Sequence, residues 1–212
     1  MSLNPSHELP KFLVENISRE LVLAIEEGLL ASSERAFLAS QQANPGHQTN
    51  VLGQLRHFHN NEAFHLVLEN HGLSPSPIRG NKIITSRSGI GVIGRFNSSE
   101  PTFSSGRRSK TRKDMASVNE VIQTLIQPTL FETNATRQFV LFFVAEFNER
   151  MQEKPAAIWL AVPNSMMTNW LFCERVEDFL SRYELSTPQL DLATPTLKKR
   201  IPKDGTDFGS EQ

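Results

Sequence analysis

Residues 139–147, FVLFFVAEF, and 156–162, AAIWLAV, decide the fold. Both runs are apolar at consecutive positions, so neither carries the single stripe of a surface helix, and both have strand length. Neither approaches the ~20 apolar residues a membrane helix needs. The segment between them, NERMQEKP at 148–155, is polar and ends in Pro155. The pair predicts a hairpin of interior strands, buried on both faces.

Upstream, KIIT at 82–85 and IGVIGRF at 90–96 are short, β-branched and separated by Ser86-Arg87-Ser88-Gly89, which predicts a second hairpin. Gly89 to Gly94 match G-x-G-x-x-G. A dinucleotide fingerprint needs a helix to open there, and Arg95-Phe96-Asn97 continues a strand instead. The glycines therefore mark a twisted hairpin that something approaches closely.

The flanks read as helix. Leu13, Ile17, Leu21, Ile25 and Leu29 recur near every 3.6 residues, predicting one helix over 12–43 that Gly28 bends or divides. A second helical stretch covers 49–71, interrupted at Asn60-Asn61 and stopped by His71-Gly72. Ser117-Val118-Asn119-Glu120 has the spacing of a capping box, opening a helix that ends before Pro128. A last helix is expected over 168–183, with Trp170 and Leu171 inward and Cys173 in its core. The expected fold is α+β: N-terminal helices, then two β-hairpins forming an antiparallel sheet of about four strands with helices on one face. The expected organisation is a helical region at 1–72, an α+β domain at 73–185 and a mostly disordered tail at 186–212.

The 212 residues carry 22 Lys+Arg against 23 Asp+Glu, which excludes a uniformly basic or polyanionic chain. The balance is segregated. Residues 1–78 sum to −4 and 114–212 to −5, whereas 79–113 sum to +8. That block holds Arg79, Lys82, Arg87, Arg95, Arg107, Arg108, Lys110, Arg112 and Lys113 against Glu100 alone. Such a block attracts phosphates by counterion release, or else pairs with the acidic helices of its own chain. Five of its cations fall within 106–113, interleaved with Ser109 and Thr111, a composition suited to backbone phosphates. Phe96 and Phe103 are candidate base-stacking rings beside them.

All six histidines precede residue 72. His57, His59 and His65 could supply the acid and base of a metal-independent ribonuclease, with Arg79, Arg87 and Arg95 as its cations. Glu62, His65 and Glu69 share a helix face and could pair as acid and base or ligate a metal, but the plainer reading is a solvated polar face with i,i+4 pairing. One cysteine cannot make an internal disulfide or a cysteine zinc site. Neither cofactor nor metal is expected. Residues 1–10 lack a basic segment followed by an apolar one, so a reducing cytoplasm is the expected compartment.

The order of pieces from Val92-Ile93-Gly94-Arg95-Phe96, through the basic stretch into 115–128, then 139–147, 156–163 and Asn169-Trp170, resembles small bacterial toxin-like or defence-associated proteins. These pair with helix-turn-helix or metallopeptidase-like antitoxins. The resemblance spans some 90 residues and transfers no catalytic residue. It implies a toxin–antitoxin or phage-defence setting with an antitoxin or regulator as partner. The expected function is binding of nucleic acid or another polyanion through 79–113. The alternatives are the ribonuclease and a non-enzymatic subunit that docks on an acidic protein, including a second copy of itself.

Overall fold

The computed structural model describes residues 5–100, 102–104, 106–120, 122 and 138–186. Three helices come first: α1 (Pro5–Asn16), α2 (Arg19–Ser40) and α3 (Gln48–Asn70). The strands are β1 (Thr85–Ser88), β2 (Gly91–Ser98), β3 (Phe139–Glu146), β4 (Ala157–Pro163) and β5 (Trp170–Arg175). A 3₁₀ turn at Gly106–Arg108 and the short helix α4 (Lys110–Ala116) lie between β2 and β3, and α5 (Val176–Ser186) follows β5 directly.

The class is α+β, as expected, but the sheet is mixed and has five strands in the order β1-β2-β3-β4-β5. The two hairpins meet through β2 and β3, which run parallel in the register Gly91↔Phe139 and Gly94↔Phe142. That register has a steric cause. A Cβ on Gly91 would sit 2.5 Å from the Phe139 ring, and one on Gly94 3.0 Å from Phe142. Gly91 and Gly94 of the G-x-G-x-x-G run are therefore seats for two rings of the neighbouring strand. Gly91→Ala is expected to cost roughly 1–3 kcal/mol by overpacking, read as a lower urea midpoint with an unchanged m-value.

Several local expectations change. The hairpin turn is Gly89-Ile90, with Gly89 at φ +55, so β1 begins at Thr85 rather than Lys82. The first helix breaks at Ile17-Ser18, where the Ser18 hydroxyl caps α2. Gly28 does not divide α2; it lets Val67 of α3 approach to 3.1 Å of where its Cβ would be. Residues 170–175 form an edge strand, not a helix, which leaves Cys173 exposed on β5. Partial burial and the Glu146 charge push its thiol up to about 11, well away from a nucleophile's range. The stop at His71-Gly72 is as expected: Gly72 takes φ +73, and Leu73 N–H returns to Leu68 O.

Two cores flank the sheet. On one face Leu13, Leu21, Ile25, Phe64, Leu68 and Phe179 of the helices pack on Ile93, Phe139, Leu141, Phe143 and Leu160. The N-terminal helices and the sheet therefore share one core. On the other face Phe96, Val140, Phe142, Val144 and Ala161 are covered by Phe103, Met115 and Ala116. Residues 103–116, which include the end of the basic block, therefore fold over a sheet face that was expected to be bare. The helix stripe expected at 121–128 lies outside the described residues except Ile122, as does the tail after Ser186.

The expected capping box does not form. The Ser117 hydroxyl donates to Asp114 O, and Ser109 caps α4 instead, accepting from Arg112 N–H. Asn119 is buried and bridges two strands. Its Nδ2 donates to Val140 O at 2.9 Å and Pro163 O at 2.7 Å, and its Oδ1 accepts from Val140 N–H at 2.6 Å.

Candidate nucleic-acid interface

The strand register assigns each side chain to a face. Directly paired residues point the same way, so Arg87 of β1 lies with its partner Val92, and Arg175 of β5 with Trp159. Val92 and Trp159 belong to the face that α4 covers. Three arginines on that face lie over aromatic rings. Arg112 is 4.6 Å from the Phe96 centroid, Arg175 5.4 Å from Trp159 and Arg107 5.8 Å from Trp170. The rings hold the guanidiniums in place by cation–π contact, at little further entropic cost. Arg175 and the two tryptophans lie outside the basic block, so charge counting along the chain does not find them; alternation along β4 and β5 would have.

The opposite layer is acidic. Helices α1, α2, α3 and α5 carry eleven acidic residues against five Lys and Arg. The molecule is thus two-faced. No described carboxylate lies within ion-pair distance of any charge of 79–113. Arg79, Lys82, Arg87, Arg108, Lys110 and Lys113 are exposed, and Arg107 and Arg112 are half-buried. Carboxylates also belong to this side: Asp114 lies on α4, and Glu146 accepts from Trp159 Nε1–H at 2.7 Å. Phe96 and Phe103 are 3% and 1% exposed and cannot stack on bases; Phe96 underlies Arg112, and Phe103 packs edge-on against Phe96, Trp159 and Trp170.

Arg95 is the exception in the block. It points to the helical face and is 2% exposed. Its Nη2 donates to Asn97 Oδ1 at 2.8 Å and its Nη1 to His57 O at 3.5 Å. Burial and the Arg112 charge press its guanidinium down to about 9, which leaves it charged at neutral pH. Asn60 and Asn61, expected to interrupt the helix, are buried inside a continuous α3. Asn60 joins α2 to β2: its Oδ1 accepts from Ser32 and Ser33, and its Nδ2 donates to Asn97 Oδ1.

The three candidate histidines take separate partners. His59 Nδ1 lies 3.4 Å from Glu62 and His65 Nδ1 3.3 Å from Glu69, each half-buried histidine meeting an exposed carboxylate of α3. Glu62, His65 and Glu69 therefore form no common site, and among the described residues no group of three ligands could hold a metal. His57 alone meets the basic block. Asn61 Nδ2, which donates to Lys82 O, also faces His57 Nε2 at 3.2 Å. An amide nitrogen only donates, so this contact calls for an accepting Nε2 and favours the uncharged ring. Burial first, then Arg95 and Arg112, hold its pKa below the ordinary 6.5. The unfolded chain thus binds a proton at this position before the folded chain does. Stability is expected to fall as pH drops below about 6.5, and His57→Gln to flatten that slope in urea titrations across pH 5–7.

A cavity of about 1310 Å³ opens at the α1–α2 break, away from this face. Lys11, Glu15, Arg19 and Glu20 give it charges of both signs and no net preference. A smaller one of about 540 Å³ lies beside His57, Phe58 and Asn81. No helix among the described residues is long and apolar enough to cross a membrane. Comparison with protein-family models, curated proteins and solved structures returned no match.

Proposed function

We propose that the α4-covered sheet face binds the phosphate backbone of nucleic acid. The observation that carries this is the row of arginines held over Phe96, Trp159 and Trp170, with the exposed cations of 106–113 beside it and no described carboxylate pairing them. Guanidiniums held over aromatic rings keep outer N–H donors free for phosphate oxygens. The acidic helical layer on the other side repels the same polyanion, so binding has one orientation. The short donors Ser109 and Thr111 fit backbone contact rather than base reading. The setting we propose is a toxin–antitoxin or defence pair, supported by the resemblance in order of elements, with the antitoxin as protein partner. The test is retention of RNA and of duplex DNA by the parent and by a variant with Arg107, Arg108, Lys110 and Lys113 replaced by alanine. Equal retention by the two, or none by the parent, ends this reading.

A further inference from the structure

We propose that Trp159 and Trp170 form a stacking platform for unpaired bases, so that the basic face takes single-stranded rather than duplex nucleic acid. This rests on the nucleic-acid reading above and narrows its substrate class. The chain has two tryptophans, and both lie on this face. Each is half-buried, so part of each indole stays open to solvent. One buried ring touches both. Phe103 meets Trp159 at 5.9 Å and Trp170 at 5.6 Å, edge-on, with interplanar angles of 64° and 75°. It steadies the planes of both indoles from beneath while staying out of solvent itself.

The mounting carries backbone strain. Phe103 has φ +53, and Met167, buried in the same cluster three residues before Trp170, has φ +56. These are the two non-glycine residues at positive φ among the described residues. Such backbone persists where the surroundings over-determine it, and it clusters at ligand sites. Glu146 anchors the polar edge of Trp159, but Trp170 Nε1–H is buried without a partner. A buried tryptophan kept only for packing usually has that donor met.

The charges select the ligand. Aromatic rings alone attract cations, but Arg107 and Arg175 already stand over these two. Their distances, 5.8 and 5.4 Å, exceed the 4.6 Å of Arg112 on Phe96. At that range each yields the ring face to a base while its N–H groups hold the phosphate. The pair therefore suits a flat ring joined to an anion, which is a nucleotide. In a duplex the bases stack on one another, so only an unpaired strand offers their faces. If the indoles are merely props for the arginines, every contact goes to phosphate and the bases do not matter.

The experiment combines tryptophan fluorescence with filter retention of the full chain at one salt concentration. Three probes of equal phosphate number are compared: an unstructured single strand, its abasic counterpart and a duplex. The single strand is expected to quench the tryptophans and to bind roughly tenfold more tightly than the abasic strand. It is also expected to bind more tightly than the duplex, although electrostatics alone favours the duplex for its denser charge. Trp170→Leu is expected to remove most of the preference for intact bases, and Trp170→Phe, which still stacks, to keep most of it. Thermal melting reports whether each variant is folded, and the abasic comparison needs no variant. Equal binding of the intact and abasic strands, or a duplex bound as tightly as the single strand, overturns the platform and leaves the basic face. A preference for intact bases that survives Trp159→Leu and Trp170→Leu together also overturns it. No retention of any probe removes the nucleic-acid reading itself.

Discussion

Replacing Arg107, Arg108, Lys110 and Lys113 together by alanine is expected to flatten the salt dependence of nucleic-acid binding by roughly 3–4 in the log–log slope. Each phosphate neutralised contributes about 0.9 to that slope on duplex DNA and about 0.7 on a single strand. Between 50 and 200 mM salt the four contacts then account for about a hundredfold of the affinity lost by the parent. The loss is expected to be the same for every sequence, because backbone contacts carry no base information. Stability should hardly change: three of the four side chains are exposed, and α4 keeps its cap at Ser109. The measurement is filter retention across a salt series, with thermal melting as the control. A slope unchanged by the substitutions places the contacts elsewhere. The helical layer is the one place they are not expected, since α2 alone carries Glu20, Glu26, Glu27 and Glu34.

Asn119→Ala is expected to have the largest effect on stability of any single substitution outside the apolar core. Phe139 N–H donates toward β2, to Ile90 O at 3.2 Å. The N–H and C=O of Val140 therefore face β4, because successive residues of a strand turn their backbone groups to alternate sides. Opposite them stands Pro163, which has no N–H to offer. Register pairing between β3 and β4 accordingly ends at Phe142↔Ala161. The Asn119 amide fills the gap, accepting from Val140 N–H and donating to the carbonyls of Val140 and Pro163. Removing it leaves three buried backbone groups unpaired, at about 1–3 kcal/mol each before relaxation. A loss of roughly 3–5 kcal/mol, or about 10 °C in Tm, is expected from urea or thermal unfolding. A change under 1 kcal/mol would mean that water satisfies those groups instead. The same substitution loosens the mounting of α4, so nucleic-acid binding is expected to weaken with it. That separates a positional effect from the charge effect of the quadruple variant.

The sequence by itself determined the pieces whose signals are local. The runs at 139–147 and 156–162 are interior strands because nothing else buries so many consecutive apolar residues at that length. The stop at His71-Gly72 follows from glycine's tolerance of positive φ, and the +8 segment from a count of charges. The tertiary structure decided what depends on partners distant in the chain. Parallel pairing of β2 with β3 follows from Phe139 and Phe142 settling over Gly91 and Gly94, some 48 residues away. Asn60 and Asn61 remain inside α3 because Ser32, Ser33, Asn97 and Lys82 O satisfy their amides; a sequence window sees only two poor helix formers. Residues 170–175 pair with β4 although their apolar spacing also suits a helix, since tertiary pairing overrides a weak local preference. For the candidate site, composition located the cations, but strand alternation and register decided which way each points. They turned Arg95 inward to His57, brought Arg175 onto the same face as Arg107 and Arg112, and buried the two phenylalanines that had been expected to meet bases.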